Sequence, residues 1–183
     1  MSRINTIEIE AAEGKAKDLL EAVKATLGFA PNLMKTLANS PAALEAYLNL
    51  NKILGTTLNA KLREAIALVT AESNGCAYCA SAHTALGKLA GLSEAETRAA
   101  QKGEVSDPKH TAALNFAKAV LNERGKVSDQ SLQAIREAGF SDSEVTEIVA
   151  HLALNIFTNY FNEVAKTEID FPRVELLSQS AAA

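Results

Sequence analysis

The chain has 183 residues, 48% of them hydrophobic, with 18 Lys and Arg against 22 Asp and Glu for a net charge of −4. That length fits one ordinary domain, and the apolar fraction is too high for a disordered chain. The basic residues are scattered singly among acidic ones, so no concentrated positive face exists for nucleic acid or an anionic membrane, and neither is expected as a partner.

The start, Met1-Ser2-Arg3-Ile4-Asn5, places no apolar stretch behind a basic beginning, so no signal peptide is expected. The apolar runs are broken within a few positions, far short of a membrane span. A cytoplasmic location follows as the expectation, and thiols there stay reduced. Two cysteines three positions apart then point to redox or metal chemistry, not to a disulfide framework.

In chain order, Ile4, Ile7 and Ile9 hint weakly at extended structure. Everything after them carries helix punctuation. Glycines recur at stops (Gly28, Gly55, Gly75, Gly91, Gly103, Gly125 and Gly139), as expected just past helix ends. Start signals follow most of them. Ser40 precedes Pro41, Asn59 opens the run from Ala60, and Asp107 precedes Pro108. Ser93 with Glu96, and Ser141 with Glu144, have capping-box spacing, and Ser128 opens a short amphipathic stretch. Helices are predicted over roughly 12–27, 31–39, 41–54, 60–73, 76–90, 94–102, 108–124, 129–138 and 142–166. The fold class is all-α: a single helical domain over residues 1–173, then a loose or interface-docked C-terminal tail at 174–183.

The last long helix is apolar over more than one stripe, which predicts a central position or a second side covered by another subunit. Its remaining face carries His151, Asn155, Asn159 and Asn162. These read first as a wetted edge or a satisfied helix–helix contact. The alternative is that they line the active cavity or a subunit seam.

The residues with chemistry cluster between Glu64 and His83. In a helix each residue turns about 100°, so Cys79 and His83 lie about 40° apart on one face, and Cys76 lies about 60° from Cys79. All three side chains can share one pocket. The Asn74-Gly75 break puts Cys76 in the first turn of its helix, where free N–H groups and the helix dipole favour a thiolate. Cys79 has His83 within reach as proton acceptor. Glu64, on the preceding helix, would reach the same level if the two helices pack antiparallel, and could then orient the imidazole. Taken alone, Glu64 is an ordinary surface carboxylate beside Lys61 and Arg63. The cysteine pair alone could be two small buried hydrophobes. Zinc is the other competitor, but Cys76, Cys79 and His83 lack a fourth ligand, and His110 and His151 have no further cysteine near them. Tyr78 reads as packing.

The whole stretch resembles the signature of the alkylhydroperoxidase D (AhpD)-like family within the carboxymuconolactone decarboxylase superfamily. That signature is a glutamate, eleven residues, Cys-x-x-Cys, then histidine four after the second cysteine, matched here by Glu64, Cys76, Cys79 and His83. The resemblance runs upstream through Gly28-Phe29-Ala30-Pro31-Asn32-Leu33 and Ser40-Pro41. It runs downstream through Ala113-Leu114-Asn115-Phe116-Ala117, Ala138 to Asp142, Asn155 to Asn162, and Asp170-Phe171-Pro172. It is most similar to the peroxidase-related branch. One departure stands out: Tyr78 occupies the position before the second cysteine, where the best-known members carry another histidine.

The resemblance implies a compact multi-helix AhpD-like domain assembling into a homo-oligomer, trimer or hexamer, that reduces small hydroperoxides without bound cofactor or metal. It makes Cys79 the peroxidatic thiol, Cys76 its resolving partner, and His83 with Glu64 the proton relay, with an external dithiol or disulfide reductant closing the cycle. The dipole argument favours Cys76 as the more acidic thiol, whereas the resemblance and the adjacent His83 favour Cys79 as nucleophile. Two other readings stand beside this one. One is a lactone decarboxylase, whose chemistry needs no cysteine pair. The other is a non-catalytic redox sensor or partner-binding subunit.

Overall fold

The computed structural model describes residues 2–180, and these form an all-helical structure in which no strand occurs. A 3-10 turn at Ile9–Ala11 precedes α1 (Gly14–Leu27), α2 (Asn32–Leu37), α3 (Pro41–Leu54), α4 (Ala60–Ser73) and α5 (Ala77–Leu89). Then follow α6 (Glu94–Lys102), α7 (Pro108–Asn122), α8 (Asp129–Glu137), α9 (Asp142–Ala165) and the short α10 (Leu177–Ser180). The hint of extended structure at Ile4, Ile7 and Ile9 gives no strand. Ile7 N–H instead donates to the Lys35 carbonyl (3.1 Å), and Ile7 and Ile9 pack half-buried on the core.

Side-chain caps set most helix starts. Ser40, Asn59, Asp107 and Ser128 each accept a backbone N–H of the following turn, and Ser93 and Ser141 form complete capping boxes with Glu96 and Glu144. Each satisfies a donor that the helix leaves unpaired.

Helix α4 is the hub, packed against α5, α6, α7 and α9. It is buried almost all the way round, with Leu62, Ala65 to Ala71 inside, as a helix enclosed on several sides must be. Two cores meet there. One joins α1, α2, the start of α3 and the start of α5. The other joins α4 to α6, α7, α8 and α9. Helix α5 comes close to α4 at Gly87, where an added Cβ would stand 3.7 Å from Glu64 Cβ and 3.2 Å from Leu92 Cδ1. A side chain there would crowd the helix that carries the site.

Residues 174–178 lie against the body. Val174 N–H donates to Ser81 Oγ (3.0 Å), Leu176 is buried, and Glu72 accepts from the N–H groups of Leu177 (3.0 Å) and Ser178 (3.1 Å). The three terminal alanines of the expected tail, 181–183, fall outside the described residues. Among the described residues, no helix is long and apolar enough to cross a membrane.

Candidate active site

The turn between α4 and α5 puts the chemistry in place. Gly75 takes φ +69°, a left-handed conformation costly for any side chain, and the chain reverses there. Cys76 N–H then returns to the Ala71 carbonyl (2.9 Å). The structure moves Cys76 one step from its expected place: it is the N-cap of α5 and not a residue of the first turn. Its sulfur therefore feels more than the helix dipole. Cys76 Sγ accepts a hydrogen bond directly from Cys79 N–H at 3.2 Å.

Cys76 and Cys79 are joined as a disulfide, with Cα atoms 5.4 Å apart. Both are buried. Cys79 Sγ has a second neighbour that spacing around the cysteines could not show: Asn162 Nδ2, on α9, donates to it at 3.3 Å.

Glu64 and His83 are brought together across the α4–α5 interface, with His83 Nδ1 and Glu64 Oε2 2.8 Å apart. A carboxylate can only accept, so Nδ1 carries a proton, and in the neutral imidazole Nε2 keeps the lone pair. Both side chains are about one-fifth exposed, so the pair sits between core and solvent. In the oxidised state His83 has Glu64 as its hydrogen-bond partner, and the sulfurs have Cys79 N–H and Asn162.

Beside this pair lies a cavity of about 50 Å³ whose wall includes Tyr47 of α3, Arg63 and Glu64 of α4, His83 of α5, and His151 and Asn155 of α9. That is room for one or two molecules the size of water. The Tyr47 hydroxyl is pushed up to about 12, first by burial and then by the Glu64 carboxylate, so it stays protonated as a donor. His151 is held below the ordinary histidine range, first by burial and then by the Arg63 guanidinium. Thr57 gives its hydroxyl proton to the Leu54 carbonyl, so in its 3.1 Å contact with Thr57 the proton lies on His151 Nε2. Arg63 in turn donates to the carbonyls of Thr57 (2.9 Å) and Leu58 (2.6 Å), holding the loop before α4 where Leu58 takes φ +30°.

The polar face of α9 is thus no wetted edge. His151, Asn155, Asn159 and Asn162 are all buried. Two of them line the cavity, Asn162 meets the disulfide, and Asn159 Oδ1 accepts from Asn74 Nδ2 (2.9 Å) beside the turn. Tyr78 ties the start of α5 to α2: its hydroxyl accepts from Leu33 N–H (3.1 Å) and its ring meets Phe171 edge-on. Burial pushes the Tyr78 phenol far up, so it takes no part in proton transfer near neutral pH. His110 lies apart, against Asn59 (3.0 Å). Among the described residues, no three His, Cys, Asp or Glu side chains converge as a metal site.

Residues 41–120, from α3 into α7, match the carboxymuconolactone decarboxylase family. Among solved structures, the chain is similar to an alkylhydroperoxidase AhpD core, an uncharacterized peroxidase-related protein from Ralstonia eutropha JMP134. That likeness has 25% identity and a TM-score of 0.84 over 92% of each chain. A peroxidase-related protein from Silicibacter sp. TM1040 shares the fold at 21% identity and TM-score 0.78, over 92% of this chain and 94% of that one. So does the debrominase Bmp8, in a cysteine-to-alanine form bound to 2,3,4-tribromopyrrole, at 22% identity and TM-score 0.78 over 93% and 92%. No protein among those of curated function matches the chain. The stretch similar to the carboxymuconolactone decarboxylase family contains Glu64, both cysteines and His83, and the chain carries it on an AhpD-like fold.

Proposed function

We propose that the protein is a thiol-dependent hydroperoxide reductase cycling through a Cys76–Cys79 disulfide. The observation that carries this reading is a bonded cysteine pair at the head of α5 with His83 further along that helix, paired to Glu64 of α4. In the reduced protein His83 Nε2 takes the Cys79 proton. The thiolate attacks the terminal oxygen of a small hydroperoxide; an S–O bond forms and the O–O bond breaks. The departing alkoxide recovers the proton from His83, leaving alcohol and Cys79 sulfenic acid. Glu64 steadies the imidazolium between these two transfers. Cys76 then attacks the Cys79 sulfur, the S–S bond forms, and hydroxide leaves with the Cys76 proton as water. An external dithiol restores both thiols by two exchanges, beginning at Cys76, and leaves as a disulfide.

The cavity beside Glu64 and His83, about 50 Å³, has room for one or two water-sized molecules that would carry protons to and from His83; its lining does not include the cysteines.

A homo-oligomer is part of the proposal. On α9, Val149, Phe157, Tyr160 and Val164 are exposed, and on α3, Leu50 and Ile53. Tyr47 and Phe157 join the two helices, with ring centroids 6.5 Å apart. A continuous apolar face of this kind, beside the cavity, fits a second copy of the chain.

Steady-state consumption of tert-butyl hydroperoxide with dithiothreitol as reductant tests the activity. Wild type is expected to turn over, and Cys79→Ser to be inactive. A Cys79→Ser protein as active as wild type would refute the thiol cycle and return the decarboxylase reading. Disulfide formation without turnover would leave the redox sensor.

A further inference from the structure

Asn162 stands 83 residues from Cys79 in sequence, yet its side-chain amide touches the sulfur that the proposed cycle uses as nucleophile. Its residue is 2% exposed, so water does not compete for the contact. The other end of the amide gains nothing from the site: Asn162 Oδ1 is buried and has no hydrogen-bond partner. A leucine would fill such a space without burying an unmatched carbonyl. The neighbour one turn back, Asn159, has its oxygen taken up by Asn74 at the α4–α5 turn and its own Nδ2 buried without a partner, so what sets Asn162 apart is its contact with the sulfur.

The two sulfurs are thus served differently. Cys76 Sγ takes the Cys79 backbone N–H, which the helix supplies whatever the side chains are. Cys79 Sγ takes a side-chain N–H from α9, which α5 cannot supply for itself. A disulfide sulfur is a weak acceptor, whereas a thiolate is an anion and receives the same N–H in a charge-assisted bond. The contact therefore strengthens when the pair is reduced and Cys79 ionises. On the proposed reading, in which Cys79 attacks the peroxide, we infer that Asn162 is a further catalytic residue: its amide N–H stabilises the Cys79 thiolate and offsets the advantage that the helix N-terminus gives Cys76. The tension between the helix dipole, which favours Cys76, and the adjacent His83, which favours Cys79, is eased by this donor.

The test uses the thiolate itself and no peroxide, so it stands apart from the activity. The chain has two cysteines, so in a Cys76→Ser protein Cys79 is the sole thiol, and serine serves as the α5 N-cap. Iodoacetamide alkylation of this protein is followed from pH 5 to 10, alone and combined with Asn162→Ala, Asn162→Asp or Asn159→Ala. Asn162→Ala is expected to slow alkylation about tenfold at pH values below the thiol pKa, moving the titration about one unit upward. Asn162→Asp, which keeps the shape but replaces a donor by a carboxyl group, is expected to move it at least as far, and carries the test if the alanine protein does not fold. Asn159→Ala is expected to lower the melting temperature and leave the titration in place. An unchanged Cys79 titration in folded Asn162→Asp, or an equal movement in Asn159→Ala, would overturn the inference. A titration that moves in a protein without peroxidase activity would uphold the role of Asn162 and refute only the proposed substrate.

Discussion

At the scale of single residues, Glu64 and His83 divide one task in the proposed cycle, His83 as the base and Glu64 as its support. The 2.8 Å contact fixes the imidazole with its proton toward Glu64 and its lone pair away from it. His83→Ala removes the base, and thiol oxidation by tert-butyl hydroperoxide should slow roughly a hundredfold, within the usual worth of general acid–base catalysis. Glu64→Gln keeps a hydrogen-bond partner but loses the charge that supports the imidazolium, and should cost less than His83→Ala. Equal rates in all three proteins would remove the relay. His151 gives a prediction on stability. Its folded value lies below the ordinary 6.5, with burial the larger cause. Between the two values the unfolded chain binds the proton and the folded one does not, so stability is full above about 6.5 and lost as pH falls below it. His151→Gln should flatten the fall in melting temperature between pH 7 and 5; an unchanged slope would mean that other groups set it. The four residues from Glu64 to His83 were legible in the sequence because their spacing is local to one helix pair. Asn162 was legible only as one of a polar row on α9 with lining the cavity as one of its readings, and Tyr47 was not legible, because only the packing of α3 and α9 on α4 brings them to the site.

At the scale of elements, capping explains why the helices could be read so closely. Ser141 accepts from Glu144 N–H at 3.2 Å while Glu144 Oε2 accepts from Ser141 N–H at 2.8 Å. Ser141→Ala should destabilise the fold by about 1 kcal/mol, measured by urea unfolding, with little change in thiol chemistry. Glu96 and Glu144 are held below the ordinary carboxylate value mainly by the backbone N–H groups of Ser93 and Ser141. That stabilisation is complete at neutral pH and lost as acid protonates the carboxylates through their lowered values, so both boxes open below pH 4.5. The sequence could not place α5 to the residue. A cysteine is an uncommon N-cap, and the Asn74-Gly75 signal fits either Cys76 or Ala77 as the first helical position. The structure resolves this through the sulfur, which takes the capping bond itself.

At the scale of the whole molecule, α4 joins two cores and carries Glu64 at their boundary, while α5 and α9 bring His83, the cysteines and Asn162. The apolar width of α9 was visible in its sequence, and the polar residues along it were the one sign that this helix does more than pack. Its exposed apolar face, with that of α3, predicts self-association. Ile53→Asp with Val164→Asp, at two positions each 63% exposed, should yield a folded monomer by sedimentation equilibrium, whereas the wild type is expected to sediment as an oligomer. A monomeric wild type at micromolar concentration would contradict that face as a subunit seam.

In the proposed cycle Cys79, and not Cys76, meets the peroxide. The direct measurement is sulfenic acid trapping: reduced Cys76→Ser and Cys79→Ser proteins are each given one equivalent of tert-butyl hydroperoxide with dimedone present, then analysed by peptide mass spectrometry. A dimedone adduct is expected on Cys79 in the Cys76→Ser protein and none on Cys76 in the Cys79→Ser protein. An adduct on Cys76 alone would reverse the roles of the two thiols, and no adduct on either would contradict the peroxidase reading altogether.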